Sequence, residues 1–281
     1  MPDEFSNLLP PTTYQGAKGR LADAIVDIMF PNIDIELPQG RFYDLCCGSG
    51  AVALTMRRRG LSPKKMTMID AGPWGMFWER VGYGWFFLDK FRTYCNAVPK
   101  NPAHIYDHIK ELSESPVNRD APYVFLLLQA SSFGGKAIWI DDGKWQNTTF
   151  RRYWTPTETS NRRSPVNPMM PMPKTLYDRT AAVCEHMQGV RGLHMNAELA
   201  SIDKDGVVYI DPPYDSTTSY GHDLELMKLI EKAKKSASAV YVSEGSPLSD
   251  NATCLSSGRK KGGISGERKK DPNEEWLSRV S

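Results

Sequence analysis

Residues 40–70, GRFYDLCCGSGAVALTMRRRGLSPKKMTMID, decide how this chain folds. GRFYDL reads as a short apolar strand, and Gly48 and Gly50 make a tight turn possible behind it. A helix then runs to about Gly60, and KKMTMID (64–70) is a second strand that closes on Asp70. Strand, glycine turn, helix and strand make the front half of a βαβ unit, which predicts a parallel sheet. Upstream, GRLADAIVDIMF (19–30) sets Leu21, Ile25 and Ile28 at helical spacing.

The far end of the chain repeats the pattern. GVVYIDPP (206–213) reads as a strand, DLELMKLIEKAKKSA (223–237) as an amphipathic helix and SAVYVSEG (238–245) as another strand. The middle differs. MFWERVGYGWFFLDKFRTYC (76–95) and LYDRTAAVCEHM (176–187) are helical, whereas YWTPTETSNRRSPVNPMMPMPK (153–174) is proline-rich and irregular. A loop of that length in a compact domain is usually functional or mobile. The expected organisation is therefore an α/β core built from 1–75 and 189–281, with 76–188 inserted into it. The polar, basic, glycine-rich CLSSGRKKGGISGERKKDPNEEW (254–276) is expected to be a flexible loop before a short final strand.

Composition narrows the function classes. No apolar run of about 18 residues occurs, which predicts no membrane span. The first residues, MPDEFSNLLPPTTYQG, have neither a basic start nor an apolar stretch, which predicts no secretory signal. The 5 cysteines (46, 47, 95, 184 and 254) form no C-x-x-C pair, so neither a disulfide framework nor a zinc knuckle is supported and a reducing cytoplasm fits. The net charge of +2 hides an uneven distribution. Between Lys144 and Arg179, seven basic residues face only Glu158 and Asp178, and Trp145, Phe150, Tyr153, Trp154 and Tyr177 lie among them. Basic residues interleaved with aromatics suit phosphates and stacked bases, although a solvated loop face reads the same way.

Three groups of residues can carry chemistry. In Asp44-Leu45-Cys46-Cys47-Gly48-Ser49-Gly50 the glycines allow the backbone to approach a ligand ahead of a helix N-terminus. No G-K-[ST] follows, so a P-loop is excluded. Asp70 ends the next strand, where nucleotide-binding α/β proteins put a carboxylate on ribose hydroxyls, with a helix cap as its alternative. Asp211-Pro212-Pro213-Tyr214 sets an acid, carbonyls without competing N–H groups and a stacking ring at a strand end. Two weaker candidates remain. His104 and His108 at i, i+4 lack a third metal ligand, and Cys46 and Cys47 read as small buried residues rather than nucleophiles.

The order of TTYQGAKGRL (12–21), YDLCCGSGAV (43–52), MTMIDAGP (66–73), SSFGGKAIWIDDGKWQNTTFRR (131–152) and VVYIDPPY (207–214) resembles the Dam-type DNA adenine methylases. In the middle block Phe133, Gly135, Gly143, Trp145, Asn147, Phe150 and Arg151 occupy corresponding places. The resemblance implies a Rossmann-like mixed-sheet methyltransferase core with an inserted, mainly helical target-recognition domain. It also implies S-adenosylmethionine as methyl donor and double-stranded DNA as partner. It assigns cofactor binding to Tyr14, Gly16, Lys18, Asp44, Cys46, Gly48, Gly50, Asp70, Asn196 and Asp211. Asp211, Pro212, Pro213 and Tyr214 would hold a flipped adenine. Lys136, Lys144, Arg151, Arg152, Arg162 and Arg163 would contact DNA. Leu45-Cys46 stand where the family has Pro-Phe, Gly72 and Gly134 where it has asparagine, and Lys136-Ala137 where arginine is common.

The implied activity is methyl transfer to the N6 amine of adenine without a metal. Two other readings stay open: an RNA adenine or cytosine amino-methyltransferase, and a catalytically degenerate DNA-binding module. Whether a restriction endonuclease accompanies the protein in a restriction-modification pair, and what oligomer it forms, the residues leave undecided.

Overall fold

The computed structural model describes residues 5, 8–31, 37, 40–213, 224–257 and 274–281. The chain opens with α1 (Ala22–Met29), β1 (Phe42–Leu45), α2 (Ala51–Arg58) and β2 (Met66–Asp70). All four residues of β1, and the first four of β2, are buried. This is the continuous apolar type of strand that a sheet covered on both faces requires.

The middle supplies α3 (Pro73–Tyr83), α4 (Leu88–Ala97), α5 (Ile105–Glu114) and α6 (Ala121–Ser131). A small antiparallel hairpin, β3 (Trp139–Asp141) with β4 (Lys144–Gln146), and the long α7 (Pro173–Met187) follow. The helical stretch expected over 76–95 is divided. Gly84 caps α3 in the left-handed region at φ 70°, a conformation that costs glycine little. The edge of the expected insertion, at residue 75, falls inside α3, which packs on β5 (Arg191–His194). Phe77, Phe86, Phe91 and Phe125 share one buried cluster with Val52, Leu54 and Phe42.

The remaining elements are β6 (Val207–Ile210), α8 (Leu226–Ser236), β7 (Ala239–Glu244), β8 (Ala252–Ser256) and β9 (Glu275–Arg279). The principal sheet has seven strands in the order β5-β2-β1-β6-β7-β9-β8. The first five are parallel, and β9 is antiparallel to both β7 and β8. The molecule is thus mixed α/β with a mostly parallel central sheet, compatible with a Rossmann-like fold. The tail corrects one expectation. Ala252–Ser256, taken in part as loop, forms β8, because it pairs with β9 and reaches the sheet through that strand. Residues 258–273 lie outside the described residues.

Among the described residues no helix is long and apolar enough to cross a membrane, and no three His, Cys, Asp or Glu side chains gather as metal ligands. His104 precedes α5 while His108 lies within it.

Candidate active site

Strand register assembles the site. Leu45 pairs with Ile69 of β2 on one side and with Ile210 of β6 on the other. The next residues, Cys46, Asp70 and Asp211, therefore stand level at the carboxyl edge of three adjacent strands. The chain runs outward from β1 to β2 and β5, then returns to β6 and runs the other way to β7. Open α/β sheets bind ligands at such a reversal, outside the strand carboxyl ends. A cleft of about 1050 Å³, counting its open mouth, lies there.

One wall of the cleft is an ion-paired group. Lys18, 5% exposed, contacts the Asp211 carboxylate and lies 3.5 Å from Glu275 Oε1 at the start of β9. Its ammonium also reaches the Gly16 carbonyl at 3.3 Å. Burial pushes Asp211 up to about 6, with the Lys18 charge pulling the other way and Glu275 and Glu244 adding to the rise. Burial opposes the charge on Lys18, but Asp211 and Glu275 outweigh it and hold the ammonium above its usual range. At neutral pH the pair is charged, and Asp211 is poised to take up a proton under mildly acid conditions.

The glycine turn forms the floor. Gly50 caps α2 at φ 75°, and a Cβ built on it would lie 2.3 Å from the Trp78 ring and 2.7 Å from Met68 Cε. Gly50→Ala should cost on the order of 2–4 kcal/mol, from left-handed backbone strain plus overpacking. Chemical denaturation measures this, and a loss below about 0.5 kcal/mol would show that the turn relaxes freely. Cys46 adopts φ 61° although it is neither glycine nor asparagine, a strained conformation typical of functional turns. Burial pushes both the Cys46 and Cys47 thiols well up, so neither serves as a thiolate nucleophile.

Two acids complete the floor. Asp44, 2% exposed, accepts a hydrogen bond from the Ala53 backbone N–H at the start of α2. Its Oδ2 is buried without a hydrogen-bond partner among the described residues. Burial, reinforced by Asp211 and Asp70, holds the Asp44 carboxyl well above the usual range, so its ionised form waits on a cation. Asp70 joins the two turns: Oδ2 accepts the Gly48 N–H at 2.9 Å and Oδ1 the Gly72 N–H at 2.8 Å. It does not cap α3, whose N-cap is Gly72.

Scans of protein-family models and of curated proteins return no match. Geometry therefore carries the functional case.

Of the residues singled out in the sequence, Tyr14, Gly16, Lys18, Asp44, Cys46, Gly48, Asp70, Asn196, Asp211, Pro212 and Pro213 all line the cleft, and Gly50 does not, although its neighbours Ser49 and Ala51 do. Asn196 spends its Oδ1 on the Glu198 N–H at 2.9 Å, capping a single helical turn. Tyr214 lies outside the described residues. None of the six basic candidates lines the cleft. Lys136, Lys144 and Arg163 are exposed, and exposed Arg162 bonds the Ser164 carbonyl at 2.8 Å. Arg152 lies 3.8 Å over the Tyr106 ring. Arg151 is half-buried, which lowers its pKa. Their neighbours Ala137, Ile138 and Trp139 do reach the cleft, because Gly135 accepts a hydrogen bond from the Gln15 N–H at 2.7 Å.

Sequence inspection missed Trp74, Gln129 and Glu275. Gln129 is buried and fixes the 135–138 loop through bonds to the Gly135 and Lys136 carbonyls and the Ile138 N–H. Glu275 fell inside the stretch read as a loop, although the short strand expected after it, β9, begins on this residue.

Proposed function

We propose that the chain is a site-specific DNA adenine methyltransferase that moves a methyl group from S-adenosylmethionine to the exocyclic N6 amine of an adenine turned out of the duplex. The observation that carries this reading is one cleft at the sheet's reversal point where Asp44, Asp70 and Asp211-Pro212-Pro213 meet, with Asp44 Oδ2 unpartnered. Among the described residues lining it, Lys18 is the only basic side chain. An acidic cleft favours a cationic ligand, and S-adenosylmethionine carries both a sulfonium and an ammonium.

When bound, S-adenosylmethionine supplies a methyl group activated by the sulfonium charge. Asp44 pairs with its ammonium, which offsets the cost of a buried carboxylate. Asp70, at the carboxyl edge of β2 and lining the cleft, takes ribose hydroxyls. Asp211 and the Pro212 carbonyl accept hydrogen bonds from the adenine amine. This draws its lone pair out of conjugation with the ring and fixes its direction. Prolines suit the position because they bring carbonyls and no competing N–H. Asp211 can then receive the proton that the amine sheds after transfer and pass it to solvent. Most of the rate enhancement comes from positioning and a fixed electrostatic environment. The exposed Lys136, Lys144, Arg162 and Arg163 supply phosphate contacts.

The test is expression in a methylation-free host followed by single-molecule sequencing of its DNA. Modified adenine in a fixed sequence context is expected. Modified cytosine, or unmodified DNA from a folded and expressed protein, would overturn the proposal.

A further inference from the structure

Among the described residues six buried side-chain polar atoms lack a hydrogen-bond partner, and three of them belong to residues lining the cleft: Asp44 Oδ2, Ser49 Oγ and Trp74 Nε1. Ser49 is 2% exposed and Trp74 4%. Buried polar groups are almost always satisfied, so orphans gathered in one cleft call for a ligand. Their chemistry is specific. The indole N–H only donates, the hydroxyl donates or accepts, and the carboxylate only accepts. A ligand that satisfies all three brings an acceptor to the indole N–H and a donor to the carboxylate.

Packing sets these groups together. Tyr14 stands edge-on to Trp74, with ring centroids 6.3 Å apart, and its ring lies 2.9 Å from where a Cβ on Gly48 would be. Phe77 and Phe125 hold the other sides of the indole, at 5.9 and 5.0 Å. Ser49 directly precedes the Gly50 cap of α2, where the helix dipole favours negative charge. By contrast, Trp78 on the same helix is satisfied, since its Nε1 donates to the Gly48 carbonyl at 2.9 Å. Packing alone explains Trp78, but it leaves the Trp74 N–H without a purpose.

We infer that Trp74 and Ser49 bind the carboxylate of an α-amino acid group whose ammonium pairs with Asp44. The inference rests on the methyl-donor reading, in which that group is the methionine end of S-adenosylmethionine. Trp74 is then the residue that tells a ligand with the carboxylate from one without it.

Calorimetry with two ligands tests this: S-adenosylmethionine, and its decarboxylated analogue, which keeps the amine, the sulfonium and the nucleoside. Trp74→Phe keeps a ring in the aromatic cluster and removes the N–H. It should weaken S-adenosylmethionine binding about tenfold, as expected for losing a charge-assisted hydrogen bond. Binding of the decarboxylated analogue should stay within about twofold. Ser49→Ala, a minimal change, should show the same selectivity with a smaller loss, and it decides the matter if Trp74→Phe does not fold. Equal weakening of both ligands would reduce Trp74 to packing and overturn the inference. So would a wild-type protein that binds the two ligands equally well. A folded wild-type protein that binds neither would instead sink the methyl-donor reading.

Discussion

Asp211→Ala should lower methyl transfer by about 10²–10⁴-fold, the range associated with removing one positioned acid–base group. Binding of S-adenosylmethionine should survive, because Asp44 and Asp70 remain on the cleft floor. The deletion also takes from Lys18 its closest acidic partner, so Asp211→Asn is the companion variant. It keeps the shape but presents an amide that both donates and accepts, and it should be nearly as inactive. Single-turnover methylation of a duplex together with calorimetry separates chemistry from binding. Full activity in Asp211→Ala would remove Asp211 from the reaction.

Lys18→Met should produce the second large effect, on stability and on pH dependence together. Removing one partner of a buried pair costs about 3–5 kcal/mol, because the other charge is left behind. The value here should fall at the lower end, since Asp211 and Glu275 are 18% and 16% exposed. Asp211 has a direct escape: it takes up a proton. In the wild type its carboxyl titrates near 6, above its ordinary 3.8. The folded state therefore binds more protons than the unfolded one between those values, and stability declines as pH rises across that window. Without Lys18 the largest pull downward is gone, while Glu275 and Glu244 still push upward, so the window extends above 6. Wild-type activity should fall off below about pH 6 as Asp211 protonates. In Lys18→Met that limb should move to higher pH, and the melting temperature should drop between pH 6 and 8. An unmoved limb would mean that Lys18 does not set the state of Asp211.

Much of this site could be seen in the sequence for a simple physical reason. Asp70 and Asp211 each close an apolar run, Asp44 stands two residues short of the same edge in β1, and strands in a parallel sheet align their carboxyl ends. Three acids at or near the ends of three adjacent strands must therefore approach one another. The glycine turn between 48 and 50 announced itself through residues that alone tolerate its backbone. What could not be seen were contacts made at a distance. Glu275 meets Lys18 only because β9 inserts beside β7, a pairing that no local pattern encodes. Trp74 looked like any core aromatic, and only its unpartnered N–H separates it from Trp78 four residues on. Residue 75, where a division was expected, falls inside α3, which packs on β5 while its aromatics join those of α4 and α6.

The route of the last strand bears on how the molecule comes into being. β9 is laid between β7 and β8, and its first residue faces Lys18 near the other end of the chain. Lys18 and Asp211 are themselves 193 residues apart in sequence. Contacts of such separation close late and slow the search for the native state. A nascent chain that has not yet delivered Glu275 leaves β7 with an open edge, the kind of surface on which aggregation begins. Productive folding should therefore lag behind synthesis, and chains stalled before residue 275 should depend on chaperones far more than the finished protein does.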